Sequence, residues 1–280
     1  KSQLKSETGE LQTLSRHSDT SAASKAAATR PNLKATATRP RLLVLGGVTA
    51  SGKTQASLTL ARHLPVEVVS ADSVCVYRGL DIGSAKPTRD EQASVPHHLI
   101  DVVDPDEAMT AALFSQMARQ AIAEIVSRGH HPVLVGGTGL YIRATIHGLM
   151  DAPKADKELR RSLREAEQTQ GPGTLHAKLQ EVDPETATRL HPSDLVRIVR
   201  ALEVHALTGE TISQLQRRHQ FSEAPYEVVY LVLDPGKEVL DERIQTRVEA
   251  MWEAGLLDEA RRLLSQGYSP SLRPLDTPGY

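Results

Sequence analysis

The stretch Gly47-Val48-Thr49-Ala50-Ser51-Gly52-Lys53-Thr54 decides the fold class of this chain. It has the spacing of a phosphate-binding loop, because a glycine is followed by four residues and then by Gly-Lys-Thr. An apolar run precedes it and a helical pattern follows it, so it joins a strand to a helix. Its glycines let consecutive N–H groups face one anion, and the helix N-terminus adds partial positive charge. These eight residues, the phosphate loop, predict a diphosphate or triphosphate site in which Lys53 adds charge and Thr54 binds Mg²⁺.

The composition is that of a globular, water-soluble protein. The chain has 280 residues, of which 39% are hydrophobic and 24% are charged, and this length suits one large domain or two small ones. A net charge of -2 gives no overall attraction for nucleic acid, so any nucleic-acid site has to be local. Cys75 is the single cysteine, which excludes an intrachain disulfide and favours the reducing cytoplasm. No apolar run approaches the ~20 residues of a membrane helix, so no membrane partner is expected.

Residues 1–40 differ in composition from the rest of the chain. Ser, Thr, Ala, Lys and Arg dominate this segment, and its apolar residues have no helical or strand period. Such a composition predicts a disordered tail. A targeting segment has a similar composition, which leaves a plastid or a mitochondrion as the alternative to the cytoplasm, although Glu7, Glu10 and Asp19 are unusual for a transit peptide.

From residue 41 onward, short apolar runs alternate with helical stretches. This alternation predicts an α/β fold with a parallel sheet, similar to that of P-loop nucleoside triphosphatases (NTPases), with its core over residues 41–150. Residues 151–225 are polar and helical and predict a helical insertion. The core resumes over residues 226–280. The predicted strands lie at residues 42–45, 66–70, 99–103, 132–135 and 228–233, and a core helix is predicted at residues 110–127.

Polar residues follow two predicted strands at the edge where the phosphate loop also lies. Asp72 and Ser73 follow the second strand, and Thr138 follows the fourth. In an open α/β sheet, ligands bind at the carboxyl ends of the strands. Asp72 is therefore a candidate general base or metal ligand, and the alternative is a helix N-cap. The fourth strand lacks the terminal acidic residue typical of ATP hydrolysis, a role that Asp101 could fill instead.

Two arginines four residues apart, Arg243 and Arg247, lie on one face of a predicted helix. One interpretation is that they converge on a single anion. The other is a solvated basic face, and the spacing alone does not decide between the two.

Several further blocks carry a family resemblance. They are Ser70-Ala71-Asp72-Ser73, Gly83-Ser84-Ala85-Lys86-Pro87, His97-His98-Leu99-Ile100-Asp101, Val135-Gly136-Gly137-Thr138-Gly139 and Arg197-Ile198-Val199-Arg200-Ala201-Leu202-Glu203. Together with the phosphate loop, these blocks resemble the tRNA dimethylallyltransferases. That family has an NTPase-like core and a helical insertion that grips the tRNA anticodon stem-loop. The resemblance implies transfer of a dimethylallyl group from dimethylallyl diphosphate to the N6 amine of the adenosine 3′ to the anticodon, in tRNAs that read codons beginning with U, with release of diphosphate.

The resemblance also implies roles for individual residues. Asp72 is the general base, and Lys53, Arg247 and Mg²⁺ lie beside the diphosphate that the phosphate loop holds. A monomer is expected. The residues implied to contact tRNA are Asp72, Ser73, Val74, Cys75, Thr138, Arg160, Val196, Arg197, Ile198, Val199 and Arg200.

The chain departs from the family pattern at two places. Cys75 stands where many members have glutamine, and a thiol cannot make the paired hydrogen bonds of an amide with adenine. Pro278-Gly279-Tyr280 stands where Ile-Gly-Tyr is usual, and the sequence stops where members normally continue with more helix. The C-terminal part of the core is therefore expected to be incomplete.

Three other functions are compatible with the same loop. A free-adenylate isopentenyltransferase uses the same donor but does not need a helical insertion. An ATP-dependent small-molecule kinase predicts an acidic residue after the fourth strand, which this sequence lacks. A non-catalytic RNA-binding relative fits Cys75 and the early stop.

Overall fold

A parallel sheet forms the centre of the fold. The computed structural model describes residues 39–220, 223–277 and 279–280. The order across the sheet is β3-β2-β4-β1-β5, and all the neighbouring strands are parallel, as predicted. The predicted tail lies outside the described residues except for Arg39 and Pro40. The strands are β1 Arg41–Gly46, β2 Val66–Ser70, β3 His97–His98, β4 His131–Gly136 and β5 Glu227–Val232.

Helices connect the strands and extend beyond them. No helix in the described ranges is long and apolar enough to cross a membrane. The helices of the first part of the chain are α1 Lys53–Ala61, α2 Arg89–Ser94, α3 Ala111–Ser127 and α4 Gly139–His147. Between β4 and β5 follow α5 Lys157–Gln170, α6 Thr174–Val182, α7 Pro184–Arg189, α8 Leu195–Thr208 and α9 Ile212–His219. The last two are α10 Lys237–Glu253 and α11 Leu256–Ser265.

The central strands of the sheet are packed on both faces against other elements, which is why they are almost continuously apolar. All residues of β2 are buried, whereas β5 at the sheet edge is exposed along its whole length. The buried side chains that share a cluster with α3 and α4 are Leu42, Val44, Val69 and Leu134. Those that pack with α1 are Leu45, Val66, Val68, Val133 and Val135.

The predicted strand at residues 99–103 is wrong. The third strand is β3, which ends at His98. Leu99 and Asp101 have φ angles of 62° and 56°, so the backbone leaves the extended region directly after β3. The other predicted strands and the helix predicted at residues 110–127 agree with the structure to within one residue at each end.

Helices α5 to α9, the helical unit, have an apolar cluster of their own. Several of them begin at a side chain that accepts a hydrogen bond from their first turn, which fixes where each helix starts. These N-cap residues are Asp156, Asp183, Asp194 and Thr211. The buried side chains of the cluster include Leu163, Leu175, Leu179, Ile198, Val199 and Leu202. The unit occupies the region of the predicted insertion, and the domain boundaries themselves stay a prediction.

Candidate active site at the carboxyl edge of the sheet

The phosphate loop joins β1 to α1 through an unusual backbone. Ala50 and Gly52 have φ angles of 64° and 95°, in the left-handed region, and Gly52 is the N-cap of α1. No side chain caps α1, and its first turn contains no acidic residue. The N–H groups that begin a helix lack intrahelical partners, and the helix dipole attracts anions to this end. The loop therefore has the backbone form of an anion-binding site.

Lys53, the first residue of α1, folds back over the phosphate loop. Its Nζ donates hydrogen bonds to the carbonyl oxygens of Gly47 and Val48, at 2.8 and 2.7 Å. The pKa of this amine is lowered, chiefly by burial; the charge of Asp72 opposes the shift and that of Arg247 adds to it. Lys53 is thus held inside the loop, within the electric field of both groups.

Helix α10 brings two arginines to the same loop. Arg243 Nη1 donates to the carbonyl oxygen of Ala50 at 3.4 Å, and it lies 3.5 Å from where a Cβ on Gly52 would stand. Arg247 follows one turn later and lines a cleft together with Thr54. Because both guanidinium groups lie beside the loop, the arrangement favours convergence on one anion over a solvated basic face.

Asp72 follows β2 and is held in place by the turn that it begins. Its Oδ1 accepts hydrogen bonds from the N–H groups of Val74 and Cys75, at 2.8 and 3.1 Å. This is the local capping arrangement that aspartate often forms. Such bonds leave the carboxylate with capacity for further donors, so capping does not exclude a chemical role. β1, which leads into the phosphate loop, and β2, which leads into Asp72, both pair with β4 in parallel, so the loop and the carboxylate lie at the same edge of the sheet.

Gly136 and Thr138 bring the ends of β2 and β4 together. Thr138 Oγ1 accepts a hydrogen bond from the Ser73 N–H at 3.0 Å, and the Thr138 N–H donates to the carbonyl oxygen of Ala71 at 3.2 Å. A Cβ at Gly136 would lie 2.1 Å from the same Ala71 oxygen, so only glycine allows this approach. Close packing against Ala71 therefore explains why β4 ends in glycine.

Cys75 lies beneath the Asp72 turn and is not a reactive thiol. Its side chain is 4% exposed, and Sγ lies 3.6 Å from the carbonyl oxygen of Ser84. Burial raises the pKa of the thiol to about 12, and the charge of Asp72 contributes to the rise. Because the thiolate is the reactive form of cysteine, this side chain packs and does not attack a substrate.

A cleft of about 620 Å³ opens beside the phosphate loop. Thr54 and Arg247 line it together with residues of the segment after Leu80. The lining of the cleft combines apolar side chains with three cationic ones, Lys86, Arg89 and Arg247, and three carboxylates, Asp81, Glu91 and Asp101, of which Asp81 and Asp101 are paired with Lys86. The apolar lining residues are Ile82, Ala85, Pro87, Ala250, Met251 and Ala254.

Comparison with known proteins identifies the family. The model of the IPP transferase family matches residues 75–280. The tRNA dimethylallyltransferase 1 of Syntrophotalea carbinolica is 54% identical over 239 residues, which cover 85% of this chain and 76% of the relative. The chain belongs to the IPP transferase family.

Two solved structures share the fold of this IPP transferase. The tRNA isopentenylpyrophosphate transferase of Bacillus halodurans is 41% identical with a TM-score of 0.58, over 86% of this chain and 75% of that one. A eukaryotic dimethylallyltransferase acting on tRNA is 28% identical with a TM-score of 0.69, over 84% of this chain and 58% of that one. The predicted P-loop NTPase-like fold is therefore confirmed.

Helix α8 divides the residues implied to contact RNA into two groups. Val196 is 75% exposed, and Arg197 is exposed beside Asp194. Ile198 and Val199 are 0% and 2% exposed, because they pack in the apolar cluster of the helical unit. The expectation that the side chains of Ile198 and Val199 contact RNA is therefore wrong. The amphipathic spacing of the helix turns these two side chains toward the apolar cluster.

Arg160 and Arg200 are bound to an internal carboxylate. Arg160 Nε and Nη2 donate to the two oxygens of Glu203 at 2.7 and 2.8 Å, and Arg200 Nη1 donates at 2.5 Å. Glu203 is fully buried, whereas about a third of each arginine side chain is exposed, at 32% and 31%. Contact of these two arginines with RNA stays a prediction for this IPP transferase, and any such contact uses guanidinium groups that Glu203 holds in place.

The residues at the loop fit a magnesium ion that is bound mainly through the phosphate oxygens of a ligand. In the described part of the chain, no group of three or more His, Cys, Asp or Glu side chains is arranged to hold a metal ion. Mg²⁺ usually keeps water and substrate phosphate ligands and needs few protein oxygens. The Thr54 hydroxyl, at the start of α1 and on the cleft wall, stays the predicted protein ligand.

Ion pairs that no local sequence pattern marks stabilise the segment after Leu80 at the cleft. The Lys86 side chain is 4% exposed, and its Nζ donates to Asp81 Oδ1 at 2.6 Å, Asp101 Oδ1 at 2.5 Å and the Tyr77 carbonyl at 2.9 Å. Asp101 is therefore paired with Lys86 and is not the terminal acid of an ATP-hydrolysing site. Ala85 and Asp101 both have positive φ, a strained backbone that is common at functional sites.

Proposed function

We propose that this chain transfers a dimethylallyl group from dimethylallyl diphosphate to the N6 amine of the adenosine 3′ to the anticodon, in tRNAs that read codons beginning with U. The observation that carries the proposal is that a diphosphate-type loop and a carboxylate meet at the end of β4, where a Cβ on Gly137 would lie 3.3 Å from the Gly47 carbonyl oxygen and Thr138 Oγ1 accepts from the Ser73 N–H next to Asp72 at 3.0 Å. The loop binds the diphosphate leaving group, and the carboxylate accepts a proton from the incoming amine. A relative 54% identical to this chain is named for the same activity, which supports the proposal.

The cations of the site act on the leaving group. As the allylic C–O bond breaks, negative charge grows on the departing diphosphate. The amides of the phosphate loop, the Lys53 ammonium and the Arg247 guanidinium lie where this charge develops, and donors fixed in advance lower the barrier. The Lys53 amine already points into the loop through its bonds to Gly47 and Val48. When Mg²⁺ is bound at Thr54, it neutralises further diphosphate charge.

The carboxylate acts on the acceptor. The adenine N6 lone pair is delocalised into the ring, so the amine is a weak nucleophile. Asp72 takes a proton from N6 as the new N–C bond forms, and the N–H groups of Val74 and Cys75 hold the carboxylate for this transfer. The adenosine leaves its stack to reach the sheet edge, as in other enzymes that modify a base. Ser73 and Thr138 hold this edge together.

Two observations favour this activity over the alternatives. A free nucleotide gives no use for the helical unit, and the relatives above are named as tRNA enzymes. For an ATP-dependent kinase, β4 lacks a terminal acid and Asp101 is paired with Lys86. The packing of Gly136 on Ala71 leaves no room for an acidic side chain at that strand end.

The test offers the purified protein two acceptors in separate reactions, with Mg²⁺ and dimethylallyl diphosphate in both. One is an anticodon stem-loop with the target adenosine, and the other is AMP. We expect the mass of the stem-loop to rise by one dimethylallyl group, with AMP unchanged and a stem-loop carrying guanosine at that position as control. Modification of AMP alone would assign the protein to free-nucleotide prenylation. Consumption of ATP without prenyl transfer would assign it to the kinases.

A further inference from the structure

A second buried carboxylate lies outside the groups used above. Glu259, on α11, is 2% exposed, and the Tyr280 hydroxyl donates to its Oε1 at 2.5 Å. A charged group of this kind is costly to bury unless donors satisfy both of its oxygens. The groups that donate to Glu259 therefore indicate which part of the structure its carboxylate stabilises.

Besides the Tyr280 hydroxyl, the hydrogen-bond donors to Glu259 are consecutive backbone amides of one segment, and Arg262 on the same helix forms an ion pair with Oε2 at 3.6 Å. The N–H groups of Asp81 and Ile82 donate to Oε2, both at 3.1 Å, and those of Ile82 and Gly83 donate to Oε1 at 2.9 and 3.2 Å. Successive amides that converge on one anion form a nest, here filled by a side chain from a distant helix. A residue far along the sequence thus fixes the backbone of three neighbouring residues.

The same helix grips this segment a second time. Arg262 Nη2 donates to the carbonyl oxygen of Gly79 at 3.2 Å. A Cβ on Gly83 would lie 2.6 Å from the Tyr280 ring, so the ring packs directly on this glycine. Residues 79–87, called the cleft loop, are therefore clamped along their first half by α11 and Tyr280.

The cleft loop reaches both halves of the proposed active site. Ile82, Ala85 and Lys86 line the same cleft as Thr54 and Arg247, where the donor diphosphate lies in the proposed function. The Ser84 carbonyl accepts the hydrogen bond of the Cys75 thiol, directly beneath the Asp72 turn. A displacement of this loop therefore changes the donor side and the acceptor side together.

We propose that Glu259, with Tyr280, is a positioning residue for prenyl transfer. It acts through the amides of the cleft loop and sets the wall that the donor and acceptor sites share. The proposal rests on the proposed function for its catalytic consequence, although the anchoring of the loop can be measured without any substrate.

The chemistry of the nest identifies the informative variants. Glutamine in place of Glu259 keeps the size of the side chain but offers one acceptor oxygen, and its amide hydrogens face the donor N–H groups. Phenylalanine in place of Tyr280 removes one donor and keeps the ring on Gly83. Asp258→Asn is the matched control, because Asp258 neighbours Glu259 on α11 and its side chain is 81% exposed beside Arg261.

The experiment compares steady-state kinetics and amide hydrogen exchange in the full-length protein. For Glu259→Gln we expect KM for both the stem-loop and dimethylallyl diphosphate to rise by about tenfold. For Tyr280→Phe we expect a smaller rise in both KM values, by about threefold. Amides of residues 81–83 lose protection in both variants, while the central strands keep theirs. Asp258→Asn leaves both readouts unchanged.

Each outcome separates this proposal from the proposed function. If the role of Glu259 is purely structural, the variant has a smaller fraction of active protein and a lower apparent kcat, while both KM values stay at the wild-type level. That result overturns the proposal. If Glu259→Gln fails to fold, Tyr280→Phe carries the same two readouts and decides. If the wild-type protein transfers no prenyl group, the proposed function fails, and unchanged protection of residues 81–83 in Tyr280→Phe would still refute the anchoring.

Discussion

At the scale of single residues, Asp72 combines a local structural role with a chemical one. The sequence left a helix cap and a general base as alternatives, and the structure shows a turn with no helix after it, in which Oδ1 accepts from the N–H groups of Val74 and Cys75. A carboxylate that is fixed in this way is preorganised, because it need not change rotamer when the substrate amine arrives. Capping and catalysis are therefore compatible uses of the same side chain.

Asp72→Asn is predicted to separate the two roles. Asparagine Oδ1 accepts the same two N–H groups, so the turn and the binding of RNA are expected to persist. The amide cannot take the N6 proton, so transfer falls by about 10²-fold or more. The measurements are single-turnover transfer and stem-loop binding by a filter or anisotropy assay. An unchanged transfer rate would contradict the role of Asp72 as base.

At the scale of elements, α10 links the phosphate loop to the cleft. Arg247 lies next to Thr54 in the cleft wall, while Lys237 begins the same helix with its side chain 81% exposed. We predict that Arg247→Ala raises KM for dimethylallyl diphosphate by about tenfold, because a charged hydrogen bond to the diphosphate is lost. Lys237→Ala is the control and leaves KM unchanged. Equal effects of the two changes would show that α10 acts only through its overall charge.

A second prediction at this scale concerns the helical unit. Glu203 on α8 holds Arg160 of α5 and also accepts from the Asp156 N–H at 2.8 Å, so it joins two helices at the entry to the unit. Glu203→Gln leaves the half-buried guanidinium groups of Arg160 and Arg200 without their buried anionic partner and is expected to lower the free energy of unfolding by roughly 3 kcal/mol. Glu158→Gln, at an exposed pair with Arg161, is expected to cost less than about 1 kcal/mol. Urea unfolding measures both, and similar losses would contradict the anchoring role of Glu203.

At the scale of the whole molecule, stability depends on carboxylates buried far from the active site. Glu67 on β2 is 3% exposed, and Arg128, His98 and His130 all contact its oxygens. The Arg128 hydrogen bonds are the largest cause that lowers the pKa of Glu67 from 4.5 to about 2. The resulting stability is fully present above pH 4.5 and is lost as the pH falls toward 2.

Glu67→Gln is predicted to remove this pH dependence. Wild-type protein is expected to exceed the variant by roughly 3 kcal/mol in free energy of unfolding at neutral pH, and the difference narrows as the pH falls below 4.5. Urea unfolding at several pH values between neutral and 3 measures the difference. A gap that stays constant over this range would mean that Glu67 stabilises the fold by packing and not by its charge.

Short-range patterns predicted much of the fold and one half of the site. The phosphate loop, β2 and α3 have their signals within a dozen or so neighbouring residues, and the structure agrees with the predicted bounds. The predicted third strand failed because the backbone at Leu99 turns into the left-handed region, which an apolar run does not reveal. Local pattern therefore predicts an element best when no distant contact reshapes it.

Long-range pairs account for what the sequence did not reveal. Glu203 meets Arg160 from 43 positions away, and Glu259 meets the Asp81 amide from 178 positions away. Neither carboxylate has a local motif that marks it as buried, because only the folded chain shows which donors surround it. A charged residue in a helix pattern reads as exposed until such partners are known.

The most direct test of the account is a single-turnover reaction in which released diphosphate and prenylated stem-loop are quantified together, with ATP also present. If the phosphate loop and Asp72 serve one displacement, the two products appear at the same rate and in equal amounts, ATP is not consumed, and Asp72→Asn slows both products alike. Diphosphate release at the wild-type rate in Asp72→Asn, without modified RNA, would contradict the account, because the loop and the carboxylate would then act in separate reactions.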